Sequence, residues 1–224
     1  MIGIICAMEF EGHKIKNSMQ EIKIHKISSI NFYSGELHGM SCVVAAGGVG
    51  KVNAAVCAQT MILKYRPGFI LNIGVAGGLL EDMRVCDVVI SQAAVQCDVD
   101  TTALGDPKGF ISTIEVTYLP CSRRLADLIL KDASIHYGTM ASSDQFIADK
   151  NKLKQVKADF GAIACDMETA SIAQVCYMNN VEFLSIRAIS DNINRENSHL
   201  DYEKFKAKSA EKVYMIIKDL FANL

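Results

Sequence analysis

Carboxylates, an arginine and a thioether concentrate at the two ends of the stretch from Cys165 to Asp191. It opens Cys165-Asp166-Met167-Glu168 and closes Arg187-Ala188-Ile189-Ser190-Asp191. Thr169 to Cys176 has helical apolar spacing, and Val181 to Ile189 reads as a β-rich buried strand that stops abruptly at Ser-Asp. In open α/β sheets ligands gather at the carboxyl ends of strands, so this pattern predicts Asp166 and Glu168 beside Ser190 and Asp191 at one rim. Several acids around one fixed cation suggest acid/base work on a polar small molecule. Arginine inside a buried strand needs a partner, and the sequence offers either a structural salt bridge to Glu11 or Glu168 or a polar ligand.

The elements that must position these groups alternate in type. Met1 to Cys6 is a short apolar strand whose exit, Ala7-Met8-Glu9-Phe10-Glu11-Gly12, carries acids. Residues 22–46 suggest a β meander: Glu21 to Ile27 alternates with period two, Asn31 to Leu37 follows, and Ser41 to Ala46 ends in glycines. A helix is expected from Val52 to Tyr65, stopping before Pro67-Gly68. Phe69 to Ile73 reads as a buried strand leading into Gly74-Val75-Ala76-Gly77-Gly78, and a further strand is expected at Asp87 to Ala94. The loop from Cys97 to Ser112 is a candidate lid or subunit contact. Helices are expected at Ser122–Lys131, Asp149–Ala158 and Tyr202–Ala222, the last with an apolar stripe through Phe205, Val213, Ile216, Ile217, Leu220 and Phe221.

At 224 residues with no Pro/Gly/Ser-rich linker, one α/β domain over residues 1–224 is expected. Half the residues are hydrophobic, yet no run approaches the roughly 20 apolar residues of a membrane span, and no cleavable signal pattern opens the chain. A soluble, cytoplasmic protein is the expectation. The net charge of −2, with charges interspersed, gives neither a nucleic-acid footprint nor a polybasic membrane patch. None of the eight cysteines forms a C-x-x-C pair, so reduced, buried thiols are expected. His13, His25, His38, His136 and His199 lack zinc-ligand spacing, so no metal is expected.

Two tempting motifs fail on their own chemistry. Gly50-Lys51 has Ala45 where a P-loop needs its first glycine and Val52 where it needs a hydroxyl. Gly48-Val49-Gly50 is followed by Asn53 where a dinucleotide fingerprint needs its third glycine. Each glycine loop is then either a tight turn where backbone packs closely or a loop whose amides face a ligand. Asp98-Val99-Asp100-Thr101-Thr102 matches the D-x-D-x-T nucleophile motif of haloacid-dehalogenase-like phosphatases. The segment before it, Ser91 to Cys97, is too polar for the apolar strand those enzymes use, and a solvated acidic loop is expected.

Taken together, several segments resemble, in order along nearly the whole chain, the methylthioadenosine/S-adenosylhomocysteine nucleosidases of the nucleoside phosphorylase superfamily. They are Ile4 to Glu11, Gly48 to Val52, Gly74 to Gly78, Ser143-Asp144-Gln145-Phe146-Ile147, Asp166-Met167-Glu168, Arg187 to Asp191 and Ser198-His199-Leu200. The resemblance implies a three-layer α/β/α fold with a mixed central sheet. It also implies hydrolysis of the bond joining adenine to a 5′-thio-substituted ribose, with 5′-deoxyadenosine as a further substrate, in methionine salvage.

By the same resemblance Asp191 protonates the purine and Glu11 activates water. Glu168 holds the ribose hydroxyls, Met167 lies against the sugar, and Arg187 organises water and carboxylates. Phe146 stacks on the purine, the Ile147 backbone reads its edge, and Ser190 orients Asp191. Met8, Val49 and Tyr202 surround the ribose and thio-substituent, and Gly77 and Asp166 complete the binding set. No cofactor is implied; the partners are an adenine nucleoside, water and a second copy of the chain, whose loop at Thr101, Leu104 and Gly109-Phe110-Ile111 closes the site.

Departures from the family pattern fall at Val75, Asp166, Ser143 and Cys97, which stand for serine, glutamate, glycine and histidine. They bear on substrate preference. Three alternatives remain: an aminodeoxyfutalosine nucleosidase, a purine nucleoside phosphorylase, and a non-catalytic nucleoside-binding protein. A phosphorylase needs basic residues at the glycine loops, and Gly74 to Gly78 contains none. A binding protein would have lost Asp191 or Glu11, and both are present.

Overall fold

The computed structural model describes residues 1–192 and 202–224, without the side chains of Asn192, residues 202–204 and Lys206. Its central feature is a mixed sheet of ten strands, one end of which closes on itself. β1 (Ile2–Cys6) lies between β4 (Met40–Ala46) and β5 (Phe69–Gly78), parallel to both. β5 continues in parallel to β10 (Glu182–Asn192), which runs antiparallel to β6 (Val88–Gln96). β6 is parallel to β8 (Ile135–Ser142), β8 to β9 (Ala162–Asp166), and β9 returns antiparallel to β5. These five strands form a ring. The meander of β2 (Gln20–Ile27), β3 (Ile30–Leu37) and β4 extends from it through β1 as an open arm, and the short β7 (Leu119–Pro120) adds to β6.

Strands covered on both faces read as continuous apolar runs, and β1 and the first half of β5 do. On one face α1 (Glu9–Ser18), α3 (Arg123–Asp127) and α6 (Tyr202–Ala222) enclose Ile4, Leu71, Ile73 and Leu184. On the other, α2 (Lys51–Tyr65) and α5 (Thr169–Met178) enclose Ile5, Val43, Ala45 and Ile70. This is the three-layer architecture the resemblance implies. The α6 stripe buries Val213, Ile216, Ile217, Leu220 and Phe221 as its spacing predicts. Asp149 caps α4 (Lys150–Phe160) through its carboxylate, and Gly161 ends it in the left-handed conformation. No helix among the described residues is long and apolar enough to cross a membrane.

Several elements differ from the sequence reading. Gly74 to Gly78 is no loop: it stays extended and continues β5, paired with β10 on one side and, at Gly77 and Gly78, with β9 on the other. β8, β9 and α1 have no counterpart in the apolar patterning. The α1 sequence is mostly polar, includes a glycine, and buries only Glu11, Gly12 and Ile15, so it lacks the helical period. The helix expected at Ser122–Lys131 shortens to α3. β10 runs past the expected stop at Ile189, with a register shift that makes Ser190 the extra residue of a bulge: Ile189 faces Ala76 and Asp191 faces Gly77.

Candidate active site

β1 ends at Cys6 and α1 begins three residues later, so the first turn of the helix lies at the carboxyl edge of the sheet. Glu11 on that turn bends back towards the strand ends. Its Oε2 accepts hydrogen bonds from the amides of Ala7 at 3.0 Å and Met8 at 2.8 Å, the Met8 bond being the return half of a capping box. Its Oε1 accepts from the amide of Val75 on β5 at 3.0 Å. Three backbone donors therefore fix one carboxylate. Burial pushes the Glu11 pKa above its ordinary value, against the opposing pull of Arg187 and of the amides.

Arg187 on β10 is 1% exposed. Its Nη2 lies 2.7 Å from Asp166 Oδ2 and 3.4 Å from Glu168 Oε2, and donates to Asn72 Oδ1 at 2.6 Å. Nε donates to Thr169 Oγ1 at 3.2 Å and Nη1 to the carbonyl of Val75 at 3.4 Å. Gly74 makes the assembly possible, because a Cβ there would collide with Arg187 Nη1 and fall 2.6 Å from Glu11 Oε1.

Of the two partners the sequence offered for a salt bridge to Arg187, Glu168 forms one, and Asp166 adds the nearest carboxylate oxygen. Asp166 also accepts from Ser142 Oγ at 2.5 Å and from the amide and hydroxyl of Thr169, which ties it to the first turn of α5. Both its oxygens are engaged within the protein and its side chain is 2% exposed, so Asp166, placed in the binding set by the resemblance, anchors Arg187 in this structure. Asn72, Ser142, Thr169 and Ser185 complete the buried polar network, and none was singled out from sequence. Asn72 carried a usable signal, as the one polar residue in the apolar run Phe69 to Ile73.

Glu168 is the N-cap residue of α5, and its Oε1 accepts from the amide of Gly50 at 3.0 Å. Burial raises its pKa; Arg187 and Gly50 pull it down, while Asp166 and Glu11 push it further up. Glycine-loop amides therefore do face carboxylates, but those of the protein itself.

Asp191 sits at the other end of this rim. Ser190 Oγ donates to Asp191 Oδ1 at 2.5 Å and also reaches the carbonyl of Ala76 at 3.2 Å. A Cβ at Gly77 would lie 3.7 Å from both Asp191 oxygens and 3.4 Å from Cys165 Sγ, so acid and thiol flank the open face of that glycine. Burial pushes the Cys165 thiol up to about 12, leaving it neutral beside the acid. Val75, which holds Glu11, and Gly77, which adjoins Asp191, are two residues apart on one strand. The strand rise places their Cα atoms about 6.6 Å apart, so both acids lie at the same end of β5.

Met8 and Met167 are half-buried near this cluster, Val49 is exposed, and Phe146 is 73% exposed on the loop between β8 and α4, with Ile147 half-buried beside it. Thr101 donates to Asp106, and Leu104, on a 3-10 turn, is 83% exposed. Tyr202 opens α6, but its side chain and the Ser198-His199-Leu200 segment lie outside the described residues. A separate groove of about 560 Å³ lies between the β2–β3 turn at Ser28-Ser29 and the start of α2, and it contains none of Glu11, Glu168, Arg187 or Asp191. Among the described residues no group of histidine, cysteine or carboxylate side chains is placed to hold a metal ion.

The raised pKa of Glu11 has a stability consequence. Folding favours its protonated form, so its contribution is full below the ordinary value of 4.5 and is lost as pH rises through the higher folded value. Glu11→Gln should therefore become progressively more stable relative to the unmodified chain as pH rises from 4.5, in urea unfolding at a series of pH values. A stability difference that is flat with pH would contradict the assignment.

The Phosphorylase superfamily model matches residues 1–222. A 5′-methylthioadenosine/S-adenosylhomocysteine nucleosidase of Oceanobacillus iheyensis is 36% identical over 222 residues, which cover 96% of each chain. The crystal structure of the Neisseria meningitidis enzyme of that name, in complex with methylthio-immucillin-A, is similar with a TM-score of 0.91 at 28% identity, over 100% of this chain and 99% of that one. A futalosine hydrolase mutant of Helicobacter pylori is similar with a TM-score of 0.90 at 30% identity, over 100% and 99%. By sequence and by architecture, the chain belongs to the phosphorylase superfamily and, within it, to the 5′-methylthioadenosine/S-adenosylhomocysteine nucleosidases.

Proposed function

We propose that this protein, acting as one domain over residues 1–224, hydrolyses the N-glycosidic bond of 5′-methylthioadenosine and S-adenosylhomocysteine, releasing adenine and the 5′-substituted ribose. One observation carries the reading: Glu11 and Asp191 are both held against the glycine-rich end of β5, at Val75 and Gly77, the first fixed by three amides and the second by Ser190. Breaking the bond develops positive charge on the sugar and negative charge on the base, so a carboxylate at the sugar and an acid at the purine both lower the barrier.

In this scheme Asp191 protonates the leaving purine. Glu11, whose affinity for a proton is raised by burial, takes the proton from the attacking water. Glu168 accepts from the ribose hydroxyls, Met167, Met8, Val49 and Tyr202 pack around the sugar and its tail, and Phe146 and Ile147 take the purine. Arg187 acts by orienting Glu168 and setting the field at Glu11.

Phosphorolysis fits the geometry poorly. The guanidinium of Arg187 is already shared among two carboxylates, Asn72 and Thr169, and Lys51 is paired with Asp98, so neither offers a free cation for phosphate. Aminodeoxyfutalosine, which shares adenine and ribose, is the second reading, favoured by the likeness to the Helicobacter pylori futalosine hydrolase.

Adenine should be released from methylthioadenosine and adenosylhomocysteine without added phosphate. Aminodeoxyfutalosine assayed alongside separates the second reading, and turnover of inosine only with phosphate would reverse the assignment. Asp191→Asn should keep the fold and lose about 10²–10⁴ in rate; near-normal adenine release by that variant would remove Asp191 from the role.

The protein is further proposed to be a cytoplasmic homodimer, with Thr101 and Leu104 of one copy near the other's site. Exposed Leu104, Val52 and Leu63 support an apolar contact. Sedimentation should give twice the 24.5 kDa of one chain, and a monomer at all concentrations would exclude it.

A further inference from the structure

Two motifs that fail as nucleotide and phosphatase signatures meet in space. Lys51, from the glycine-lysine pair, directs Nζ to Asp98 Oδ1 at 2.6 Å, and Asp98 is the first acid of the D-x-D-x-T match. Asp98 uses its other oxygen, Oδ2, to accept from the amide of Asp144 at 2.9 Å. Asp144 in turn accepts from the amide of Lys51 through Oδ1 at 2.7 Å. The three residues close a loop of hydrogen bonds among the start of α2, the segment after β6 and the segment after β8.

Asp144 lies two residues before Phe146, on the irregular segment 143–149 that carries Phe146 and Ile147. Gly50, immediately before Lys51, is the residue whose amide holds Glu168. Gly50 also has no Cβ to press on Asp144 Oδ1, which would lie 3.2 Å from one, and its φ of +96° suits glycine. On α2's far side the carbonyl of Lys51 accepts from Ser171 on α5 at 2.7 Å, so the helix end is itself fixed. The segment carrying Phe146 is thereby fastened to the same turn that fixes the sugar-side carboxylate.

We propose that Asp98, Lys51 and Asp144 are positioning residues that hold the Phe146–Ile147 segment in register over the purine, and so set the affinity for the base independently of the sugar. The inference rests on the nucleosidase reading above. Lys51 and Asp98 are partly exposed, so the pair acts through geometry at the mouth of the site and contributes little to the folded state as a whole. Asp98 does this twice over, as counter-ion to Lys51 and as acceptor for the Asp144 amide. The second bond needs only an oxygen.

Calorimetric titration with free adenine and, separately, with 5-methylthioribose tests the assignment on the full chain. Asp98→Ala and Asp144→Ala should each weaken adenine binding about tenfold, the effect of losing one charge-assisted anchor, while methylthioribose binding stays within about twofold. Asp98→Asn keeps an amide oxygen for Asp144 and should retain more adenine affinity than Asp98→Ala. Unchanged adenine affinity in both alanine variants would overturn the proposal, as would a parallel loss of methylthioribose binding, which would mark a general loosening of the site. A wild-type chain that binds adenine and cleaves methylthioadenosine while the variants match it defeats this inference alone. A wild-type chain that does neither defeats the nucleosidase reading with it.

Discussion

A guanidinium ion held out of water at the centre of the molecule constrains everything around it. Arg187 stands on β10 with almost no exposure, and an unpaired buried charge would be far too costly to keep. The structure meets that demand from three segments: Asn72 and Val75 from β5, Asp166 from the end of β9, and Glu168 and Thr169 from the start of α5. Each of those groups is then fixed by serving the ion. Gly74 leaves the space in which Glu11 and Arg187 approach each other, because a Cβ there would collide with both.

The closed end of the sheet follows from the same requirement. β5 pairs with β10 along its length, with β1 over Phe69 to Asn72 and with β9 at Gly77 and Gly78. At Gly74 a Cβ would press on Arg187 Nη1 and Glu11 Oε1 and force them to shift. The bulge at Ser190 completes the arrangement: the extra residue lets Asp191 face Gly77 while Ser190 steadies its carboxylate. Three buried carboxylates around one cation leave a net negative cluster, and burial answers by raising the pKa of Glu11 and Glu168. Under the proposed reaction that bias is useful, since a carboxylate with raised affinity for a proton is a better base near neutrality.

The departures from the family pattern are absorbed locally. Val75 contributes its amide to Glu11, which any residue other than proline could supply. Asp166, shorter than glutamate by a methylene, is drawn back against Ser142, Thr169 and Arg187. Cys97 donates its thiol to the carbonyl of Ser142, the strand end from which the Phe146 segment departs.

The sequence by itself determined the alternation of strands and helices, the apolar faces of α2, α5 and α6, and the concentration of acids around Arg187. These are properties of spacing and residue type, and period and burial preference write them directly into the chain. α1, β8 and β9 escaped because their burial is partial or their segments polar, so they carry no period to read. Tertiary structure alone decided which acid meets the arginine, that the second glycine run is a strand and not a loop, and that Lys51 and Asp98 are partners. Those outcomes depend on strand register and on groups far apart in sequence competing for one buried ion or one helix end, and no local pattern encodes that competition.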